Sequence, residues 1–172
     1  LPPEEVDTEA FTLTISEETA VDLGLSGGAG GARGARGDRA AGWRGVGRLL
    51  RRVAPLWLRC QPSDLGLATE IRSGHFRRPA IHLYDRVQGG VGLASALFRD
   101  HGAILAAALE VVVGCDCAHG CPACVGPVEE AGRLGKRVAQ SVLEHLTCGG
   151  PPIVSGAADA IEAAEAPGVV SR

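Results

Sequence analysis

The chain has 172 residues, enough for one domain with a substantial core and too few for two ordinary ones. Apolar residues make up 45% but lean on alanine, aromatics contribute only 3%, and a formal net charge of −3 gives no global field for nucleic acid. No apolar run reaches the ~18 residues of a membrane span, and the acidic start Leu1-Pro2-Pro3-Glu4-Glu5 lacks the basic and apolar regions of a signal peptide.

A cytoplasmic, reducing setting is therefore expected, in which clustered cysteines bind metal rather than pair with one another. Methionine is absent even at position 1. The chain accordingly reads as a piece of a longer polypeptide, or as one with a misplaced start.

Residues 9–16 alternate apolar and polar side chains and predict a half-buried strand. Ser16-Glu17-Glu18-Thr19 is a capping pattern for a short helix through Leu25. From Ser26 to Gly42 the sequence collapses to Gly, Ala and Arg, the composition of a flexible insertion that cannot bury a core. From Trp43 onward, Val46, Leu49, Leu50, Val53, Leu56 and Trp57 recur at helical spacing, with an expected end near Ala54 because Pro55 disfavours helix in the residue before it.

Leu65 to Ile71 and Pro79 to Asp85 read as strands, followed by two helices, about Leu93 to Phe98 and about Gly102 to Val113. An amphipathic helix is expected from Glu129 to Leu146, with Leu134, Val138, Val142, Leu143 and Leu146 on one side. The tail, residues 147–172, is Gly/Pro-rich and then Ala/Glu-rich and is expected to be disordered. There is no internal repeat.

The strongest chemical signal is the run from Cys115 to Cys124, in which Cys115, Cys117, Cys121 and Cys124 are spaced C-x-C-x3-C-x2-C. Thiolates are soft ligands, and four held close together suit a tetrahedral Zn2+ with no position left for water, so the metal would be structural. Gly120 and Pro122 allow the sharp turn that folds the ligands inward. An iron–sulfur cluster is the competing occupant, because four-cysteine ligation also suits it and Pro122 follows a cysteine. The three-cysteine spacing of enzymes that use S-adenosylmethionine is also met, but those motifs open a large barrel that does not fit here. His119 reads as a neighbour of the site, and Cys60 and Cys148 as small buried hydrophobes.

Tyr84 and Asp85, with Gly89, Gly90 and Gly92 behind them, lie between a strand and a helix. Such a place can cradle phosphate on backbone amides, but tight helix–strand packing explains it better, so these five residues are expected to form a structural turn. The basic face of Arg44, Arg48, Arg51 and Arg52 is a candidate nucleic-acid contact, set against the alternative of a solvated helix face. The chain has no G-x4-G-K-S/T loop, no G-x-S-x-G elbow and no H-E-x-x-H motif, so no catalytic residue is assigned.

Taken in order, these motifs resemble a known family. Residues 1–11, 53–60 and 63–66, the Leu83-Tyr84-Asp85 and Gly89-Gly90-x-Gly92-Leu93 run, and the cysteine run with Pro122 and Val125 are similar to the domain once called DUF1998. That domain is the zinc-binding domain at the C-terminus of MrfA-like DEAD/DEAH-box helicases of superfamily 2. The resemblance spans residues 1–146, with Gln88 standing where the family usually has proline and the Gly/Ala/Arg insertion at 26–42 as a second departure.

The resemblance implies zinc at the four cysteines. It also implies a parent enzyme that hydrolyses ATP with Mg2+ in upstream RecA-like domains and moves 3′ to 5′ along single-stranded DNA in DNA repair. The expectation is one α+β domain, with a small mixed sheet, flanking helices and a four-cysteine zinc knuckle between two helices. Its expected role is an accessory domain that helps organise the motor and contacts DNA, with no membrane partner. A free-standing zinc-binding interaction module and an iron–sulfur redox protein are the alternatives.

Overall fold

The computed structural model describes residues 7–23, 25, 33–148 and 153–156, with side chains over 7–23, 25 and 40–148. The fold is α+β, as expected. In chain order the elements are β1 (Ala10–Thr14), α1 (Glu17–Asp22), α2 (Arg33–Leu58), β2 (Leu65–Glu70), β3 (Ala80–Asp85), α3 (Leu93–Val113), α4 (Val128–Ala131), α5 (Gly135–Cys148) and β4 (Ile153–Gly156).

The four strands form one sheet in the order β2-β3-β1-β4, antiparallel throughout rather than mixed. β1 and β2 both run against β3, which lies between them, so the helical crossover from β1 to β2 creates no parallel neighbours. The register pairs Thr12 with His82 and Ala68 with His82 on β3's two sides. All five residues of β1 are buried, so this central strand is covered on both faces rather than half-buried.

Phe11, Leu13, Ile81, Leu83 and Leu65 join a core with Trp43, Val46, Leu49, Leu50 and Val53 of α2. α2, α3 and α5 pack on one another beside the sheet. Trp43, fully buried, donates its indole N–H to the Ala80 carbonyl at 3.1 Å and so fastens α2 to β3.

Several local expectations are corrected by packing. Residues 26–32 of the expected flexible insertion lie outside the described residues, but helix already begins at Arg33. Gly42 and Gly45 let α2 approach its neighbours. A Cβ on Gly45 would stand 2.9 Å from the Val125 Cβ, closer than side chains pack. Pro55 does not end α2, which continues to Leu58 and closes with Arg59 at φ 54°. A proline near a C-terminus removes one backbone hydrogen bond without forbidding the last turn. Leu56 and Trp57, assigned to the apolar stripe, are exposed (81% and 49%).

The two helices expected on either side of residues 99–101 are one helix, α3, running straight through Gly102. Conversely, the single helix expected from Glu129 is broken at Gly132 (φ 71°) into α4 and α5. In the tail, Thr147 and Cys148 complete α5, and Cys148 is exposed rather than buried. Residues 153–156 form the edge strand β4, which contradicts an expectation of disorder there; 149–152 and 157–172 lie outside the described residues.

Ser16 caps α1 as expected, accepting from the Thr19 backbone N–H at 3.0 Å, although the helix stops at Asp22.

Candidate metal centre

α3 delivers the chain to Cys115, and the knuckle then returns through α4 to the N-terminus of α5. Each turn of this loop has a physical cause. The Cys124 and Gly126 N–H groups both donate to the Cys121 carbonyl, at 2.9 and 3.1 Å, which closes the second half of the loop. The Cys121 N–H donates to the Cys124 sulfur at 3.4 Å. Gly120 sits at φ 147°, and a Cβ there would lie 2.7 Å from the Gly126 carbonyl oxygen, so this turn requires glycine.

The result is four sulfurs on one spot. Cys115 Sγ lies 3.5 Å from Cys117 Sγ and 3.6 Å from Cys121 Sγ, and Cys124 Sγ lies 3.5 Å from Cys117 Sγ and 3.7 Å from Cys121 Sγ. All ligand atoms fall within 4.8 Å of one another. A tetrahedral ion with Zn–S bonds of about 2.3 Å spaces its sulfurs about 3.8 Å apart. The donor set therefore fits one small ion. An iron–sulfur cluster interposes several atoms between its thiolates and would hold them farther apart.

The thiols also press on one another. Cys117 is pushed up to about 12, by desolvation first and then by hydrogen bonding with Cys124, Cys115 and Cys121. Cys121 is drawn down to about 7, chiefly by its hydrogen bond with Cys115 and by the Ala123 backbone. A divalent ion would resolve this competition by holding all four as thiolates. Cys124 is buried, the other three half-buried, and the centre lies against the core through Val125 and Ala131.

Around the ligands, the loop is tied down from three sides. Lys136 of α5 donates its ammonium to the Cys115 carbonyl and, at 2.8 Å, to the Cys117 carbonyl. Its backbone N–H donates to the His119 carbonyl at 3.0 Å. Arg52 Nη1 donates to the Pro122 carbonyl at 3.0 Å, and Arg48 forms an ion pair with Glu130 of α4. His119 is exposed and outside the ligand set, donating Nδ1–H to the Arg133 carbonyl at 3.0 Å. Sequence reasoning missed Lys136, although a signal existed: it is the only lysine in a chain with 17 Lys and Arg.

The arginine face is largely engaged inside the molecule. Besides Arg48 and Arg52, Arg51 donates Nε–H to the Leu65 carbonyl at 3.0 Å. Arg44 is exposed and has no hydrogen bond or ion pair among the described residues. The Tyr84–Gly92 turn is assembled at the other end of α3, with Gly89, Gly90 and Gly92 at φ 81°, 71° and 89°. Fully buried Asp85 accepts there from the Val91 N–H at 2.5 Å and the Leu93 N–H at 3.3 Å, both through Oδ2. Asp85 thus fixes the start of α3, and Tyr84 lies over Gly66 of β2.

Known proteins agree with this picture. Residues 46–125 match the family model of the MrfA Zn-binding domain, a stretch that contains all four cysteines. Among curated proteins, an uncharacterized ATP-dependent helicase, YprA of Bacillus subtilis, is 32% identical over 96 residues, 56% of this chain and 13% of that protein. The uncharacterized protein MJ1572.1 of Methanocaldococcus jannaschii is 40% identical over 48 residues, 28% of this chain and 43% of that protein.

Among solved structures, the DUF1998 helicase MrfA bound to DNA matches with TM-score 0.60 and 27% identity over 70% of this chain and 16% of that chain. The same helicase bound to DNA and AMPPNP matches with TM-score 0.57 and 28% identity over 84% and 16%. The match takes 13% to 16% of the helicases and 43% of the archaeal protein, and the family resemblance read from the motifs is borne out over residues 46–125.

Proposed function

We propose that this chain, whose residues 46–125 match the MrfA Zn-binding domain, holds one Zn2+ between Cys115, Cys117, Cys121 and Cys124 as a structural clasp. The single observation that carries the reading is the closure of four sulfurs to within 4.8 Å of one another. Four thiolates leave no open coordination position, so the ion stabilises the fold and performs no chemistry. Its binding energy is in part the folding energy of the loop between α3 and α5.

The larger role is that of an accessory domain in a cytoplasmic, ATP-dependent 3′–5′ DNA helicase of DNA repair. The clasp fixes α2, α3 and α5 as a rigid block beside the RecA-like motor, where ATP and Mg2+ would act. The similarity to helicases solved with DNA supports a DNA contact. On this surface Arg44 is the arginine best placed to meet the phosphates of single-stranded DNA, because its three companions are held within the fold. Among the described residues no helix is long and apolar enough to cross a membrane.

The coding sequence directly upstream tests this role. An in-frame P-loop and DEAH-type box would support it, and a start codon beside Leu1 would contradict it. A second reading, a free-standing zinc module acting through interactions, draws support from the archaeal relative, of which the match takes 43% against 13% of the helicase.

A further inference from the structure

Four thiolates around one divalent ion leave two negative charges uncompensated, and exposed Asp116, between two ligands, adds another. Excess charge of this kind is stabilised by a cation or oriented dipoles standing close by. Among the described residues, one cationic side chain hydrogen-bonds to a ligand residue. It is Lys136, half-buried, whose ammonium spans the carbonyls of Cys115 and Cys117. The same residue lies in the first turn of α5, and its backbone N–H holds the His119 carbonyl, so the positive end of that helix meets the knuckle as well.

We infer that Lys136 is the positioning residue of the metal centre, holding the C-x-C half of the knuckle in its ligating shape and offsetting the charge of the four thiolates. The choice of residue supports this. Everywhere else the chain uses arginine for its side-chain cations, and Lys136 alone is lysine. A compact ammonium with three donors can reach two carbonyls a residue apart, whereas a planar guanidinium is built for a carboxylate. The inference rests on the zinc reading, and it adds a residue outside the ligand set that governs how tightly the ion is kept.

The test is competition for Zn2+ between a chromogenic chelator and the full chain, for the natural sequence, Lys136→Met and Lys136→Arg. Co2+ spectra verify that each variant still offers four thiolates. Groups that orient metal ligands from outside typically change affinity about 10–100-fold when removed. Lys136→Met is expected to weaken zinc by that factor, and Lys136→Arg to recover only part of it, keeping the charge without the compact ammonium's fit to both carbonyls. Should Lys136→Met fail to fold, Lys136→Gln, which keeps a donor without the charge, takes its place. Neutral variants that hold zinc as tightly as the natural chain would overturn the inference, and so would an arginine variant no tighter than the neutral one. A natural chain that takes up no zinc would refute the zinc reading instead, which keeps the two failures apart.

Discussion

Arg52 reaches from α2 to the metal loop, its Nη1 donating to the Pro122 carbonyl at 3.0 Å. One turn earlier Arg48 pairs with Glu130 of α4. A helix face that reads as a nucleic-acid contact is thus in good part the brace of the knuckle. Arg52→Ala is expected to cost about 1 kcal/mol of stability, the net worth of one exposed charge-assisted hydrogen bond. Urea denaturation of the zinc-loaded protein measures it.

Arg44 separates the two uses of that face. In the whole polypeptide, Arg44→Ala is expected to leave the melting temperature unchanged and to weaken binding to single-stranded DNA. The slope of log affinity against log salt would fall by about 0.7, the loss of one phosphate contact. An unchanged slope would remove Arg44 from the DNA path.

Asp85 holds the turn before α3 through two backbone N–H groups. Asp85→Ala removes the acceptor that both part-buried donors share, an expected loss of about 1–3 kcal/mol. Asp85→Asn keeps an acceptor oxygen and is expected to cost less. Chemical denaturation of the two variants ranks them, and equal losses would show that the hydrogen bonds to Val91 and Leu93 do not carry the turn.

His82 gives the fold a pH dependence. Its ring is buried on β3, with Nδ1 2.9 Å from Thr12 Oγ1 and the Phe76 ring stacked at 6.3 Å. Desolvation lowers its pKa below 6.5, more than the facing Glu70, 3.8 Å away, raises it. The unfolded chain therefore takes the proton first. The stability this group contributes is complete above pH 6.5 and is lost as the pH falls from there through the folded pKa. Zinc release also weakens the protein in acid, so the observable is a difference. His82→Gln is expected to flatten the decline below pH 6.5 relative to the natural chain, both zinc-loaded.

How much of this is legible in the residues depends on whether the information is local. The cysteine run announces its ligands because their spacing within ten residues already dictates a chelating loop. Asp85 and the glycines behind it mark the turn for the same reason. The start of α2 is hidden, since the Gly and Ala before Trp43 look like a linker until Val138 is seen packed against Gly42. β4 is hidden as well, being four residues in a Gly/Pro-rich tail whose pairing partner, β1, lies about 140 positions earlier. The arginines are ambiguous in sequence because side chains that brace a loop and side chains that bind phosphate have the same composition.

The central claim is that Cys115, Cys117, Cys121 and Cys124 close on a single zinc ion. Elemental analysis of the protein purified without added metal tests it most directly, alongside its visible absorption spectrum and a Cys124→Ser variant. One zinc per chain, a colourless protein and loss of the metal in the variant are expected. Stoichiometric iron with visible absorbance, or zinc retained undiminished without Cys124, would contradict it.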